Sequence, residues 1–436
     1  MNPVKVGLLG LGTVGGGTVE VLRRNADEIS RRAGRALAVT HACARDLTKP
    51  RGVSVAELEL VSDPWELVTN KEIDIVCELM GGIEPALDLV LGAIGNGKHV
   101  VTANKALIAL HGNEIFAAAQ AQGVMVAFEA AVAGGIPVIK TLREGLSGNQ
   151  VEWLAGIING TCNFILTEMQ EHQRELSDVL VQAQQLGYAE ADPSMDIDGT
   201  DAGHKLMILA SIAFGIPLQF ERMYIEGISN ITTEDVTYAA QLGYRIKHLG
   251  IARKGERGIA LGVHPTLIPN RRLLANVDGV MNAILVTGDA VGPIMLYGAG
   301  AGAEPTASAV VADLVDVVRA MTSDPENRVP HLAFHPDALS DIPILPREEV
   351  VTACYLRMNV QDRPGVLADI TRILGDLDIS IEAIVQKEPA PGVATVPVII
   401  LTHRVMERAM NAAMEKIESL ESVAGALTRI RMESLA

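Results

Sequence analysis

The chain has 436 residues, too many for one ordinary core, and typical domain sizes divide it into two to four domains. With 48% hydrophobic and 20% charged residues it is a folded globular protein, and with only 3% aromatics its cores rest on aliphatic side chains and Met. A net charge of -17 excludes a general nucleic-acid binder, which needs clustered Lys and Arg against phosphate.

The N-terminus, MNPVKVGLLGLG, runs directly into a strand pattern without a signal peptide, and the expected location is the cytoplasm. Leu206 to Phe220 is the most apolar stretch. It is shorter than a bilayer span, holds Gly215 and Pro217, and reads as a core helix and its exit. Cys43, Cys77, Cys162 and Cys354 are widely spaced, so they read as buried thiols rather than a zinc pair or disulfide framework.

In chain order, strand patterns at 4–9, 37–44, 73–79, 100–103 and 124–129 alternate with helical patterns at 14–24, 85–96 and 106–122. Repeated β-α units predict a Rossmann-type doubly wound parallel sheet over 1–137. From 138 to 322 helical patterns mix with β-rich runs, predicting an α+β substrate-binding and dimerisation domain whose last helix, about 304–321, packs back on the first domain. The polar, Pro-bearing stretch 323–350 reads as a linker. Residues 351–436 follow the order β-α-β-β-α-β, with strands at 353–360, 379–386, 393–401 and 427–432, which is ferredoxin-like.

Gly10, Gly12 and Gly15 form G-x-G-x-x-G between a strand and a helix, the context that makes this motif a dinucleotide fingerprint. The first glycine permits the turn, the second lets the pyrophosphate approach, and the third allows helix–strand packing. The second strand ends at Arg45-Asp46: Arg45 suits a 2′-phosphate and tilts the reading toward NADP, while Asp46 keeps NAD open.

Thr102-Ala103-Asn104-Lys105 lies at the carboxyl end of a strand, the edge where such sheets bind ligands, and Lys105 there is a fixed charge or a plain surface lysine. The run Gly187 to Asp201 is dense in acids and is followed by Lys205. Asp201 and Lys205 are i,i+4, so one helix face carries both. A lysine held near carboxylates can be tuned for proton transfer, and the carboxylates suit a substrate ammonium. A calcium loop at Ser194–Gly199 fails because its twelfth position would be Lys205 rather than an acid. Acids also gather at helix N-termini for the dipole alone, which leaves Lys205 unaccounted for.

The segments GLLGLGTVGGGT, TANKALIA, FEAAVAGGIPVI, GIINGTCNFILT, LGYAEADPSMDIDGTDAGHKLMILA and GAGAEPTASAVVAD resemble homoserine dehydrogenases, in the family's order from residue 4 to about 320. DRPGVLADIT resembles the first loop and helix of an ACT regulatory domain. The resemblance implies reversible hydride transfer between L-homoserine and L-aspartate 4-semialdehyde, on the route to threonine, isoleucine and methionine. It implies Lys205 as proton donor and acceptor, assisted by Lys105. Glu190 and Asp201 would bind the amino acid, with Asp196 and Gly187 at the same site. NADP or NAD would be held by Gly10, Leu11, Gly12, Thr13, Val14 and Gly15, by Arg45, Thr102, Lys105 and Gly187, and by the turn near Gly302. A structural sodium ion would take Glu129, Val132, Gly134 and Ile136, mostly through backbone carbonyls. The loop with Asp362 and Gly365 would receive L-threonine as effector. A homodimer through the substrate domain, or a homotetramer joined by ACT pairing, is also implied. No partner motif for aspartate kinase is present. Two other readings remain open: an ACT-bearing dehydrogenase for an aromatic precursor, which calls for an Arg- and His-lined pocket, and a non-catalytic nucleotide and amino-acid sensor.

Overall fold

A computed structural model describes residues 2–387 and 395–435. The chain forms two compact units. The first holds 1–160, 201–223 and 280–342; the second holds 161–200, 224–279 and 343–436.

In the first unit, β1 (Val4–Leu9), β2 (Leu37–Cys43), β3 (Glu59–Val61), β4 (Ile75–Glu78), β5 (His99–Thr102) and β6 (Val126–Ala127) form one sheet in the order β3-β2-β1-β4-β5-β6. Every neighbouring pair is parallel. Val4, Val6, Leu8 and Leu9 are fully buried, as a central strand covered on both faces requires. The order reverses between β1 and β4, which makes the carboxyl ends of these strands a binding crevice. This is the Rossmann-like architecture expected from the β-α repeats.

The helix Ala303–Ala320 shares the core of this sheet: Ala307, Val310, Leu314 and Val318 pack in one cluster with Val4, Val6, Leu8 and Val19. Strands Val151–Ile157, Met281–Gly288 and Gly292–Ala299 form an antiparallel set with the second in the middle. The helix Thr200–Phe214 is apolar nearly all round, and from Leu206 to Phe214 every residue is buried. Gly215, at φ 62°, ends it. The stretch 323–342 lacks long elements but is pinned: the Ser340 amide donates to Gly215 O at 2.6 Å and Leu332 is buried.

In the second unit, Tyr244–Gly255 and Gly258–Pro269 form a long hairpin. The C-terminal part has strands Val351–Gln361, Ile381–Gln386, Thr395–Thr402 and Val423–Met432 and helices Val366–Asp376 and Glu407–Glu418. Its sheet runs 381–386, 395–402, 351–361, 423–432, with every neighbouring pair antiparallel. This is the ferredoxin-like ACT fold. The beginning of the strand expected at 393–401 lies outside the described residues.

One feature had no sequence signal. At its end the closing strand, still paired with Ala353 and Cys354 of the ACT sheet, also pairs parallel with the hairpin, Thr266 beside Arg431 and Leu267 beside Met432. Arg431 is 1% exposed, and its Nε donates to Glu407 Oε1 at 2.7 Å. Glu407 also receives Arg347 at 2.7 Å and Arg429 at 3.3 Å. Arg431 reaches Glu226 as well. Burial would raise the Glu407 carboxyl, but Arg431, Arg347 and Arg429 outweigh it and bring it down to about 2. A second buried pair ties ACT residue Arg357 to Asp235, at 2.6 Å, on the helix Thr233–Gln241.

Among the described residues, no helix is long and apolar enough to cross a membrane. All four cysteines are buried.

Candidate active site

The turn after β1 is built by its glycines. Gly10 has φ 101°, and a Cβ there would stand 2.7 Å from Leu79 O. A Cβ on Gly15 would stand 2.3 Å from Gly10 O, so strand and helix approach as closely as the fingerprint demands. Gly12 begins the helix Thr13–Arg24 with no side-chain cap and open space beyond it. Leu11, Thr13 and Val14 complete this turn, and the uncapped amides of the first helical turn are the donors that a pyrophosphate takes.

Past β2, Asp46 is occupied by its own loop: its Oδ1 accepts from the Thr48 amide at 2.8 Å and the Thr48 hydroxyl at 2.7 Å. These bonds hold its carboxyl below the ordinary range. Arg45, beside it, is exposed.

At the carboxyl ends of β4 and β5, Glu78 is fully buried. Its Oε1 accepts from the Met80 and Gly81 amides at 2.9 and 3.2 Å, and its Oε2 from the Thr102 hydroxyl at 2.7 Å. Thr102 Oγ1 in turn accepts from the Asn104 amide at 3.0 Å, and Asn104 caps the helix Lys105–Ala121 through the Leu107 amide at 3.1 Å. This chain of bonds fixes the first residue of that helix, Lys105.

Lys105 Nζ lies 3.2 Å from Asp201 Oδ1. Lys205 Nζ donates to Asp201 Oδ2 at 2.7 Å and to Ile158 O at 2.9 Å. Asn159 Nδ2 donates to the same Oδ2 at 2.9 Å. Burial alone would raise the Asp201 carboxyl. The Lys205 and Lys105 charges, with hydrogen bonds from Lys205 and Asn159, overcome this and hold it well below the usual carboxylate range. Two ammonium groups thus converge on one ionised, buried carboxylate, with Lys105 the more exposed. Such a pair can stabilise negative charge building on a substrate oxygen, and either amine can exchange a proton with it.

Lys105, Lys205 and Asp201 are therefore brought together, at the end of the sheet where Thr102 also stands. Gly187, Glu190 and Asp196 belong to the second unit. Gly187 is a left-handed turn at φ 75°, Glu190 is exposed, and Asp196 lies on the short helix Ser194–Ile197 with its carbonyl accepting from the Cys162 thiol at 3.1 Å. Gly302, at φ 125°, precedes the helix Ala303–Ala320. The Ala303 carbonyl lies where a Cβ on Gly17 would be 2.6 Å away, so this turn packs on the fingerprint helix.

Two contributors escaped the sequence reading. Asn159 stood in an Asn-Gly pair that reads as a turn. Glu78 carried a usable signal: an acid inside a fully buried parallel strand requires partners.

The segment 129–136 coils tightly, with φ 56° at Ala133 and 53° at Gly134. Glu129 and Asp313 are buried together, and the Glu129 amide donates to Asp313 Oδ2 at 2.8 Å. Glu129 Oε1 accepts from the Ile139 amide at 2.8 Å and Oε2 from the Lys140 amide at 2.7 Å. Among the described residues, no group of three or more His, Cys, Asp or Glu is placed to hold a metal ion. In the ACT part, Gly365 (φ 96°) precedes the helix Val366–Asp376, and Asp362 accepts a long 3.5 Å bond from Gln386.

Residues 10–129 match the family described as homoserine dehydrogenase, NAD binding domain; 137–315 match homoserine dehydrogenase; 355–422 match the ACT domain. The chain is 63% identical to a homoserine dehydrogenase of Pseudomonas aeruginosa over the whole of both chains. It superposes with a TM-score of 0.96 on the crystal structure of a homoserine dehydrogenase from Thiobacillus denitrificans, at 66% identity, covering 100% of this chain and 99% of that one. A hyperthermophilic archaeal homoserine dehydrogenase in complex with NADPH aligns with a TM-score of 0.62 at 29% identity, over 72% of this chain and 98% of that one. The chain belongs to the homoserine dehydrogenase family, as an oxidoreductase acting on a CH–OH group with an NAD(P)-binding domain and a C-terminal ACT domain.

Proposed function

We propose that the chain interconverts L-homoserine and L-aspartate 4-semialdehyde with NADP as the preferred nicotinamide, in the supply of threonine, isoleucine and methionine. The observation that carries the reading is the carboxylate of Asp201 gripped by both Lys105 and Lys205 at the crevice of a dinucleotide-binding sheet. When bound, the cofactor supplies the hydride. Lys205 exchanges the proton with the substrate oxygen, and Lys105 adds positive charge in the same crevice. Asp201 holds both amines and, with Glu190 and Asp196, favours a substrate carrying an α-ammonium. Gly187 takes part in holding substrate and cofactor. The fingerprint residues 10–15, Thr102 and the Gly302 turn receive the cofactor.

The preference for NADP rests on the exposed Arg45 and on Asp46 being occupied by Thr48. The archaeal relative bound to NADPH supports it. An Arg45→Ala variant should lose affinity for NADPH while NADH binding stays near its starting level; equal losses for both would remove Arg45 from this role.

A sodium ion suits the coil formed by Glu129, Val132, Gly134 and Ile136. The supporting observation is that Glu129 and Asp313 are buried together, burial pushing both carboxyls up as at a site that gains from a cation, and backbone carbonyls are hard oxygen donors. The ACT domain, through the loop of Asp362 and Gly365, takes L-threonine as a feedback inhibitor. The chain works in the cytoplasm as a homodimer or homotetramer, with 1–137, 138–322 and 351–436 as its working domains.

The experiment is reduction of NADP+ or NAD+ by purified protein with L-homoserine, in wild type and Lys205→Ala, with and without millimolar L-threonine. Activity that collapses in the variant supports the assignment of Lys205. A rate and substrate dependence unmoved by threonine would reject feedback through the ACT domain. Absence of homoserine oxidation in folded protein would favour the sensor reading.

A further inference from the structure

Within the second unit, the acid-bearing loop Ser194–Gly199 is seated on one short stretch of chain, 226–228. A Cβ on Gly227 would stand 2.1 Å from Ile197 O and 2.6 Å from Asp198 Cα, backbone against backbone. The Ile228 amide donates to Ile197 O at 2.9 Å. At the end of the loop, Gly199 (φ 90°) is met by His248: a Cβ there would stand 3.2 Å from the imidazole Nε2. That same Nε2 donates to Glu226 O at 2.9 Å. The loop therefore sits where the backbone around Glu226 puts it.

Glu226 is in turn fixed by its side chain. Its amide donates to Val263 O at 2.8 Å, and its Oε2 accepts from the Tyr224 hydroxyl at 2.5 Å and from Arg431 Nη1. Arg431 Nη2 donates to the Tyr224 hydroxyl at 3.0 Å, and its guanidinium stands 4.7 Å from the centroid of that ring.

The charge of Arg431 does not call for this second carboxylate. Glu407 already neutralises it, accepting from Nε at 2.7 Å and from Nη2 at 3.0 Å. Bringing Glu226 to the same guanidinium costs desolvation and adds little neutralisation. What it gains is direction, because a planar guanidinium held by its other bonds offers its remaining N–H groups along fixed lines. From the ACT strand to the loop the path is then short: Arg431, the Glu226 carboxylate, the Gly227 peptide and the carbonyl of Ile197, the residue after Asp196.

We infer that Glu226 is a positioning residue for the substrate: clamped by Arg431 of the ACT strand, it seats the loop that carries Asp196, so the ACT domain sets the grip on homoserine through one ion pair. The inference rests on the proposed role of that loop in holding the substrate ammonium. Glu226 touches neither substrate nor cofactor in this scheme, so its loss acts on homoserine affinity and spares proton transfer and cofactor binding.

The test is steady-state kinetics of the full chain with homoserine, with NADPH affinity read separately by cofactor fluorescence. Glu226→Ala should raise the KM for homoserine about tenfold, the scale of one lost charge-assisted hydrogen bond, while kcat and NADPH affinity stay within about twofold. Glu226→Gln keeps an acceptor for Tyr224 and Arg431 and should recover most of that loss. An unmoved KM, or a parallel fall in kcat and NADPH affinity such as a loosened fold would give, overturns the inference. Tyr224→Phe removes one hydrogen bond and no charge, and serves if Glu226→Ala does not fold. It should raise KM about threefold, and an unmoved KM there overturns the inference equally. Arg431→Lys keeps the charge beside Glu407 but loses the fork. It should raise KM as well, and add nothing in the double variant with Glu226→Ala; strict additivity rejects the route through Arg431. Asp196→Asn separates the premises. If it leaves KM unmoved, the role of the loop fails and the inference with it, whereas a raised KM there with Glu226→Ala silent refutes only the role of Glu226.

Discussion

Lys105 and Lys205 hold opposite oxygens of the Asp201 carboxylate, at 3.2 and 2.7 Å. Two like charges drawn this close in a largely buried setting depend on the anion between them. Asp201→Asn should leave the fold intact, since Asn159 and the backbone still surround the site, but should lower kcat/KM by about a hundredfold or more, the usual scale for disabling a proton-transfer group. Steady-state rates with homoserine check this. Activity within a few fold of wild type would show that the pair of lysines does not need its counter-ion.

Gly15→Ala addresses the fingerprint. The added Cβ would meet Gly10 O at 2.3 Å, backbone against backbone, so the turn itself must move. NADPH affinity should fall steeply while thermal stability drops only modestly, as read by fluorescence titration and a melting curve. Unaltered affinity would mean that this turn does not carry the pyrophosphate.

Glu407 predicts an acid limit in the second unit. Its folded pKa, about 2, lies below the ordinary value of about 4.3, so it adds stability that is present above pH ~4.3 and is lost as pH falls toward 2. The difference amounts to about 3 kcal/mol. Glu407→Gln leaves three arginines crowded without their anion, so it should be strongly destabilised at pH 7, with the gap to wild type narrowing on acidification. Melting temperatures from pH 6 to 2.5 provide the check, and a constant gap would contradict the assignment.

His331 sets a second, milder window in the first unit. Its ring stacks on Phe116 at 4.8 Å, and its Nε2 accepts from the Val126 amide at 3.2 Å. Burial, aided by Arg143, pulls its pKa down to about 4. An unfolded histidine titrates near 6.5, so neutral His331 contributes stability above pH ~6.5 that is lost as pH falls to about 4, up to about 3 kcal/mol. His331→Gln should flatten the pH dependence of the urea midpoint across that range; identical slopes in variant and wild type would exclude the histidine as its source.

The sequence made the β-α repeat, the fingerprint glycines and the ferredoxin-like order readable because each is a local pattern. Periodicity places a helix at 200–214 and puts Asp201 beneath Lys205. What joins Lys105 to Asp201 is tertiary: the two positions are far apart in the chain and meet only through the crevice of the sheet. Glu78 and Asn159 were harder still, since a buried polar residue announces a need for partners without naming them. The Glu407–Arg431 cluster was silent for the same reason, its arginines looking like ordinary surface charge along a strand.

The strand Val423–Met432 belongs to two neighbourhoods, lying beside Val351–Gln361 for most of its length and beside Thr266 and Leu267 at its end. A regulatory module attached in this way is not a bead on a string. Cutting it off exposes an unpaired edge on the hairpin and strands Glu226 without its arginine, so a truncated chain inherits a damaged second unit rather than a merely unregulated enzyme. Exchange of sensors between such enzymes would have to carry the strand Val423–Met432 and its hairpin partner as a single heritable piece.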